Sequence, residues 1–152
     1  MAIMSPGDVL DRVRGFPMRS FEAGEAVLSQ ATATGQLLFL SEGAVDVALE
    51  DVFIARVAEP GAVFGDVAFL LDQPHTAAVT TVRRSSFHVV DEPEAFLEAE
   101  PRVAIYVARV LARRLNAVNH LLVEARRRVV ETDQRRGVLA ETLERIGQAL
   151  QR

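Results

Sequence analysis

The sequence predicts a mainly β chain with an α-helical C-terminal part: an antiparallel β-roll, double-stranded and jelly-roll-like, with short flanking helices and a long C-terminal dimerisation helix. Three observations lead there. Between Met18 and Asp91, short apolar stretches alternate with turn residues at Gly24, Gly35, Gly43, Pro60-Gly61, Gly65 and Asp72-Gln73-Pro74. Six or more strands at this spacing belong to a sandwich or barrel. The segment Val45-Asp46-Val47-Ala48-Leu49 alternates with period two, as a half-buried strand does. From Leu111 onward, apolar residues recur in steps of four and three, as in a helix with a continuous apolar seam.

The elements follow in order. Residues 5–14 suit a short helix, with Ser5 as its cap and Pro6 at the first helical position. Gly15 and Pro17 then punctuate the chain. Glu50-Asp51 turns the strand that ends at Leu49 into Val52-Phe53-Ile54-Ala55-Arg56-Val57. Residues 64–78 read as a tight turn, a short apolar helix, a second turn and a strand. Glu92-Pro93-Glu94 starts a helix through Ala99, and Pro101 opens a long one. The expected domains are a β-roll over 1–100 and a helix or coiled coil over 101–152.

The heptad runs through Leu111, Leu115, Val118, Leu122, Ala125 and Val129, then through Thr132, Arg136, Leu139, Leu143, Ile146 and Leu150. The first part of the long helix, from Val103 to Leu111, is expected to lie on the β-roll. Beyond Ala125 the stripe outruns what a domain of this size covers. The first six positions are therefore the expected seam of a homodimer. Thr132 and Arg136 interrupt the stripe and Gly137 follows. Two shapes stay open there, a kink and a hairpin.

Composition excludes several classes. Hydrophobic residues make up 49% of the 152, enough for a real core. No apolar run approaches the roughly 20 residues of a membrane span, and the first residues lack a signal pattern. With no cysteine, there are no disulfides, thiolate nucleophiles or cysteine metal ligands. A cytoplasmic protein is expected. All 17 basic residues are Arg, against 21 acids and a net charge of −4. Residues 1–108 hold 7 Arg and 16 acids, whereas residues 109–152 hold 10 Arg and 5 acids. Arg126-Arg127-Arg128 and Arg135-Arg136 read as solvated flanks of the helix. Glu124, Glu131, Asp133, Glu141 and Glu144 are near enough in sequence to pair with them, and nucleic acid is not an expected partner. His75, His88 and His120 are dispersed, without metal-ligand spacing. No nucleophile–base motif stands out, and no enzyme is expected.

The run Phe64-Gly65-Asp66-Val67-Ala68-Phe69-Leu70-Leu71-Asp72-Gln73-Pro74-His75-Thr76-Ala77-Ala78 is the candidate site. Gly65 is free to take a backbone conformation closed to other residues. The first amides of the helix after it have no partner within the helix and favour an anion. Asp66, His75 and Thr76 add polar side chains. The run resembles the phosphate-binding cassette of the cyclic-nucleotide-binding domain family: Phe-Gly-Glu, small apolar, Ala-Leu-Leu, a gap, then Pro-Arg-Ser/Thr-Ala. Phe21-Glu22-Ala23-Gly24-Glu25, Leu38-Phe39-Leu40 and Gly43-Ala44-Val45-Asp46-Val47 fall where that family has its early strands and glycines. Ala31 stands where it often has another Gly.

The resemblance implies a regulatory ligand site at Phe64, Gly65, Asp66, Val67, Ala68, His75, Thr76 and Ala77, with Asn119 of the long helix reaching the base. The implied ligand is a cyclic nucleotide, such as cyclic AMP or cyclic GMP, or another small anion. Asp66 stands where the family has the Glu that takes the ribose 2′-hydroxyl. His75 stands where it has the Arg that pairs with the phosphate. Arg is a permanent, bidentate cation, whereas imidazole titrates near pH 6.5. Three roles stay open for His75: a solvated loop residue, a phosphate donor when protonated, and a pH-sensitive contact. Arg83 or Arg84 stays open as a substitute for the absent Arg. Many relatives carry a helix-turn-helix domain after the dimer helix. The 27 residues after Ala125 are expected not to hold one, although residues 137–143 look like the start of its first helix. A second class remains: a vestigial pocket on a module that binds a protein partner through its coiled coil.

Overall fold

The computed structural model describes residues 2–132 and 136–152, leaving aside the Arg136 side chain. Asp133 and Arg135, named above as charged flanks, lie outside the described residues. Contacts divide the chain into two compact units, Met1–Val107 and Ala108–Arg152.

The first unit is an antiparallel roll of eight strands in two four-stranded sheets. One sheet has β1 (Met18–Phe21), β8 (Ser85–Val90), β3 (Leu37–Glu42) and β6 (Val63–Phe64) in that order. The other has β2 (Ala26–Leu28), β7 (Ala78–Thr81), β4 (Val45–Leu49) and β5 (Val52–Val57). Strand β3 is the hinge of the packing. Its run Leu37-Leu38-Phe39-Leu40 is apolar without alternation and buried throughout, because both of its faces are covered. Leu38 and Leu40 join Phe21, Leu28, Val45, Phe64, Val79, Phe87 and Val89 between the sheets. Phe87 meets the rings of Phe21 and Phe64 edge-on at 5.7 and 5.9 Å. On the other side, Phe39 meets Phe96 of α3 (Pro93–Ala99).

Helix α1 (Pro6–Val13) starts at a capping box: Ser5 Oγ accepts from the Asp8 N–H, and the Asp8 carboxylate accepts from the Ser5 N–H. A hydrogen bond from the Ser5 hydroxyl to that carboxylate, and then the one from the Ser5 N–H, hold the Asp8 carboxyl below its ordinary pKa. Val9 and Val13 are fully buried. The β4–β5 hairpin closes with Leu49 opposite Val52. Both of its turn residues, Glu50 and Asp51, have positive φ, at 48° and 63°, as a tight two-residue hairpin turn requires. Arg56 donates two hydrogen bonds to the Asp46 carboxylate across this hairpin, 2.7 and 3.0 Å long.

Helix α4 runs from Pro101 to Glu131 and α5 from Arg136 to Leu150, so the predicted single seam to Leu150 is divided between two helices. Within the second unit, Leu121, Ala125 and Val129 of α4 line a groove with Leu139 and Leu143 of α5. Val129 is buried there, whereas Leu115 and Val118 are exposed. The spacing of four and three continues in the sequence through Val129, Thr132, Arg136 and Leu139, so periodicity alone did not show that the stripe passes from one helix to another. Among the described residues no helix is long and apolar enough to cross a membrane.

Candidate cyclic-nucleotide site

The cassette is built around two residues with left-handed backbones. Gly65 precedes helix α2 (Asp66–Leu71) with φ 84° and ψ 0°. A Cβ at this position would stand 2.5 Å from the Gln36 carbonyl oxygen, so only glycine fits. Asp72 ends the helix with φ 50°, and the N–H groups of Asp72 and Gln73 donate to the carbonyls of Phe69 and Ala68. Phe64 is a core residue against Phe87. Asp66 is 4% exposed in the first turn of α2 and is engaged within the fold. Val67 and Ala68 are half-buried.

After Pro74 the chain is pinned to the β2–β3 loop. The Ala31 N–H donates to the His75 carbonyl and the His75 N–H to the Thr32 carbonyl, both at 2.8 Å. The His75 ring is buried, with 5% of the residue exposed, and its Nε2 lies 2.9 Å from Thr34 Oγ1. His75 is therefore not a solvated loop residue. Burial disfavours the charged imidazolium and lowers its pKa below the ordinary value. Thr76, next in the chain, is exposed, and Ala77 is half-buried ahead of β7. A pocket of about 200 Å³ lies between the β2–β3 loop and the cassette. Thr34, Gly35, Gly65, Ala68, Asp72 and His75 are among the residues that line it.

Of the predicted residues, then, Gly65, Ala68 and His75 share one pocket; Phe64, Asp66, Val67, Thr76 and Ala77 do not line it. Asn119 is exposed on α4, in the second unit. Arg83 and Arg84 do not substitute for the family's Arg. Arg83 donates to the Gly43 carbonyl, and Arg84 pairs with Glu22. The sequence reading missed Thr34 and its loop. One signal was present: Ala31 stands at a glycine position, and its φ is 65°.

The model of the cyclic nucleotide-binding domain family matches residues 18–109. A curated relative, the Pycsar effector protein XpPycTIR of Xanthomonas perforans, is 34% identical over 110 residues. The match covers 70% of this chain and 36% of that protein, so the chain spans little more than a third of the relative's length. Two solved structures share the fold at 23% identity. One, the catabolite activator protein of Thermus thermophilus, has a TM-score of 0.65 with 97% of this chain and 84% of that one covered. The other comes from work on a cyclic-GMP-dependent signalling pathway that regulates bacterial phytopathogenesis. It has a TM-score of 0.63, with 76% of this chain and 98% of that one covered. With the family model matching well over half of its length, and with the β-roll and cassette in the family's order, the chain belongs to the cyclic nucleotide-binding domain family.

Proposed function

We propose that the first unit is a sensor for a 3′,5′-cyclic nucleotide and that the chain acts as a regulator, not a catalyst. One observation carries the reading. The corner made by Gly65, α2, Asp72 and the pinned Pro74-His75 turn keeps the order and spacing of the family's phosphate-binding cassette. In this reading the phosphate sits against His75, the Thr76 hydroxyl and the Ala77 amide, and Asp66 takes the ribose. Asn119 serves the base, and two copies associate through the exposed stripe of α4. Ligand shifts the arrangement of the helices only to the extent that it binds one arrangement more tightly. A cytoplasmic location accords with this role. The kinship with a named effector supports a regulatory role.

A second reading has its own support: a protein-interaction module that no longer binds nucleotide. His75 is already hydrogen-bonded to Thr34, and Asp66 is already engaged in the fold. Thermal unfolding with millimolar cyclic AMP, GMP, CMP and UMP separates the two. A ligand at about 100 times its Kd stabilises a fold by about 2.7 kcal/mol, a rise of several degrees in midpoint. A rise with any member of the panel supports the sensor. No rise with any of them leaves the interaction module.

A further inference from the structure

We infer that Thr34 is a positioning residue that fixes the tautomer of His75, so that His75 meets the ligand's phosphate as a neutral Nδ1–H donor. The inference rests on the nucleotide-binding reading and names how that site takes an anion without the family's arginine.

The geometry begins in the β2–β3 loop. The Gln36 N–H donates to Thr34 Oγ1 at 3.4 Å. A hydroxyl oxygen can accept twice, but among the described residues His75 Nε2, at 2.9 Å, is the acceptor within reach of the Thr34 hydroxyl proton, and we place that proton there. An Nε2 that accepts carries no proton, so the ring proton sits on Nδ1. The backbone that carries the ring is pinned by the paired hydrogen bonds of His75 with Ala31 and Thr32. Among the described residues no buried side-chain nitrogen or oxygen lacks a partner. Nδ1 has none among those residues and so keeps access to solvent. A ring that is almost entirely buried thus offers one outward donor.

The surroundings favour the neutral ring. The loop side of the pocket is formed by Ala33, Thr34 and Gly35, and the corner side by Gly65 and Ala68. Asp72 is the charged residue of the lining, and it is exposed. Protonating Nε2 would take away the acceptor that Thr34 uses. Neutral donors suit a singly charged phosphodiester, whereas a second negative charge has no counter-ion here and is costly to desolvate. The ligand class is therefore a cyclic phosphodiester, with rejection of the ring-opened phosphomonoester.

The test uses ¹⁵N imidazole spectra of the full chain with cyclic AMP, GMP, CMP and UMP, and affinities measured at about pH 6 and about pH 7.5 on either side of the ordinary imidazole pKa. The expected result is an Nδ1–H tautomer at both pH values and an affinity that changes by less than about threefold between them. Thr34→Val should disturb the tautomer and weaken binding about tenfold, the size of one good hydrogen bond. Thr34→Ser should restore both. An Nε2–H tautomer, or an imidazolium at the higher pH, overturns the role of Thr34. A disturbed tautomer with unchanged affinity overturns the phosphate contact. The expected tautomer with no nucleotide bound at all overturns the nucleotide reading, and the phosphate contact with it, and is distinguishable from either.

Discussion

Gly65 lies against the Gln36 carbonyl so closely that a Cβ would stand 2.5 Å from its oxygen, and its φ is 84°. Two independent demands for glycine meet at this residue. The left-handed conformation costs a non-glycine residue roughly 1–2 kcal/mol, and the contact with a backbone atom cannot be relieved by a rotamer change. The corner that holds α2 against the β2–β3 loop depends on both.

Gly65→Ala is accordingly expected to destabilise the β-roll by more than about 2 kcal/mol, above the strain alone. Gly24 is the control. Its φ is also 84°, but nothing lies within 4 Å of a Cβ there. Gly24→Ala should cost only the roughly 1–2 kcal/mol of strain. Urea unfolding of the two variants reads the difference, and equal losses would show that the Gln36 approach carries no energy.

Much of this corner was legible in the sequence, and the illegible part has a physical cause. Gly65, the apolar helix and Asp72-Gln73-Pro74 are local turn chemistry, which residue types declare. The capping box at Ser5 and Asp8 declares itself in the same way. The burial of His75 is different. It depends on the 31–34 loop, some forty residues earlier, folding over the ring, and no local pattern carries that. The break between α4 and α5 was hidden because the stripe resumes in phase after residue 136.

Besides Asp72 at the end of α2, three described non-glycine residues hold left-handed backbones at turns: Ala31, Glu50 and Asp51. Ala31→Gly and Asp51→Gly should each stabilise the chain by about 0.5–1 kcal/mol, the relieved strain less the entropy that glycine adds to the unfolded state. The effects should couple rather than simply add, because the Glu50 N–H donates to Gln30 Oε1 at 3.1 Å and joins the two turns. Melting curves of the single and double variants check both statements. A loss of stability at residue 31 would mean that the alanine methyl has a packing role.

Stability should fall as the pH drops below about 6.5, through the burial of His75. The folded state holds the ring below its ordinary pKa, so in this window the unfolded chain binds a proton that the native chain does not. The sign follows: stability is fully present above the unfolded pKa and declines as the pH falls from there through the folded one. Asp8 and Asp46 also have lowered pKa values, but they lose their contribution in the carboxylate range, further down. His75→Gln cannot titrate. Its stability between about pH 7.5 and the carboxylate range should be flatter than that of the wild type. Parallel slopes for the two proteins would place the titrating group elsewhere.

The apolar stripe of α4 divides into residues with different fates, and this separates folding from association. Val129 is buried within the helical unit beside Leu139 and Leu143. Val129→Ala should cost on the order of 1–2 kcal/mol of stability, the value of the buried methyl groups removed, with no change in oligomeric state. Leu115 and Val118 are 47% and 46% exposed and sit at the predicted seam. If two copies meet there, Leu115→Asp with Val118→Asp places unpaired charge in the interface. That should convert dimer to monomer while the β-roll keeps its unfolding midpoint. Sedimentation velocity over a range of concentrations decides it. A wild type that stays monomeric throughout, or a variant that stays dimeric, removes the seam from the first half of α4.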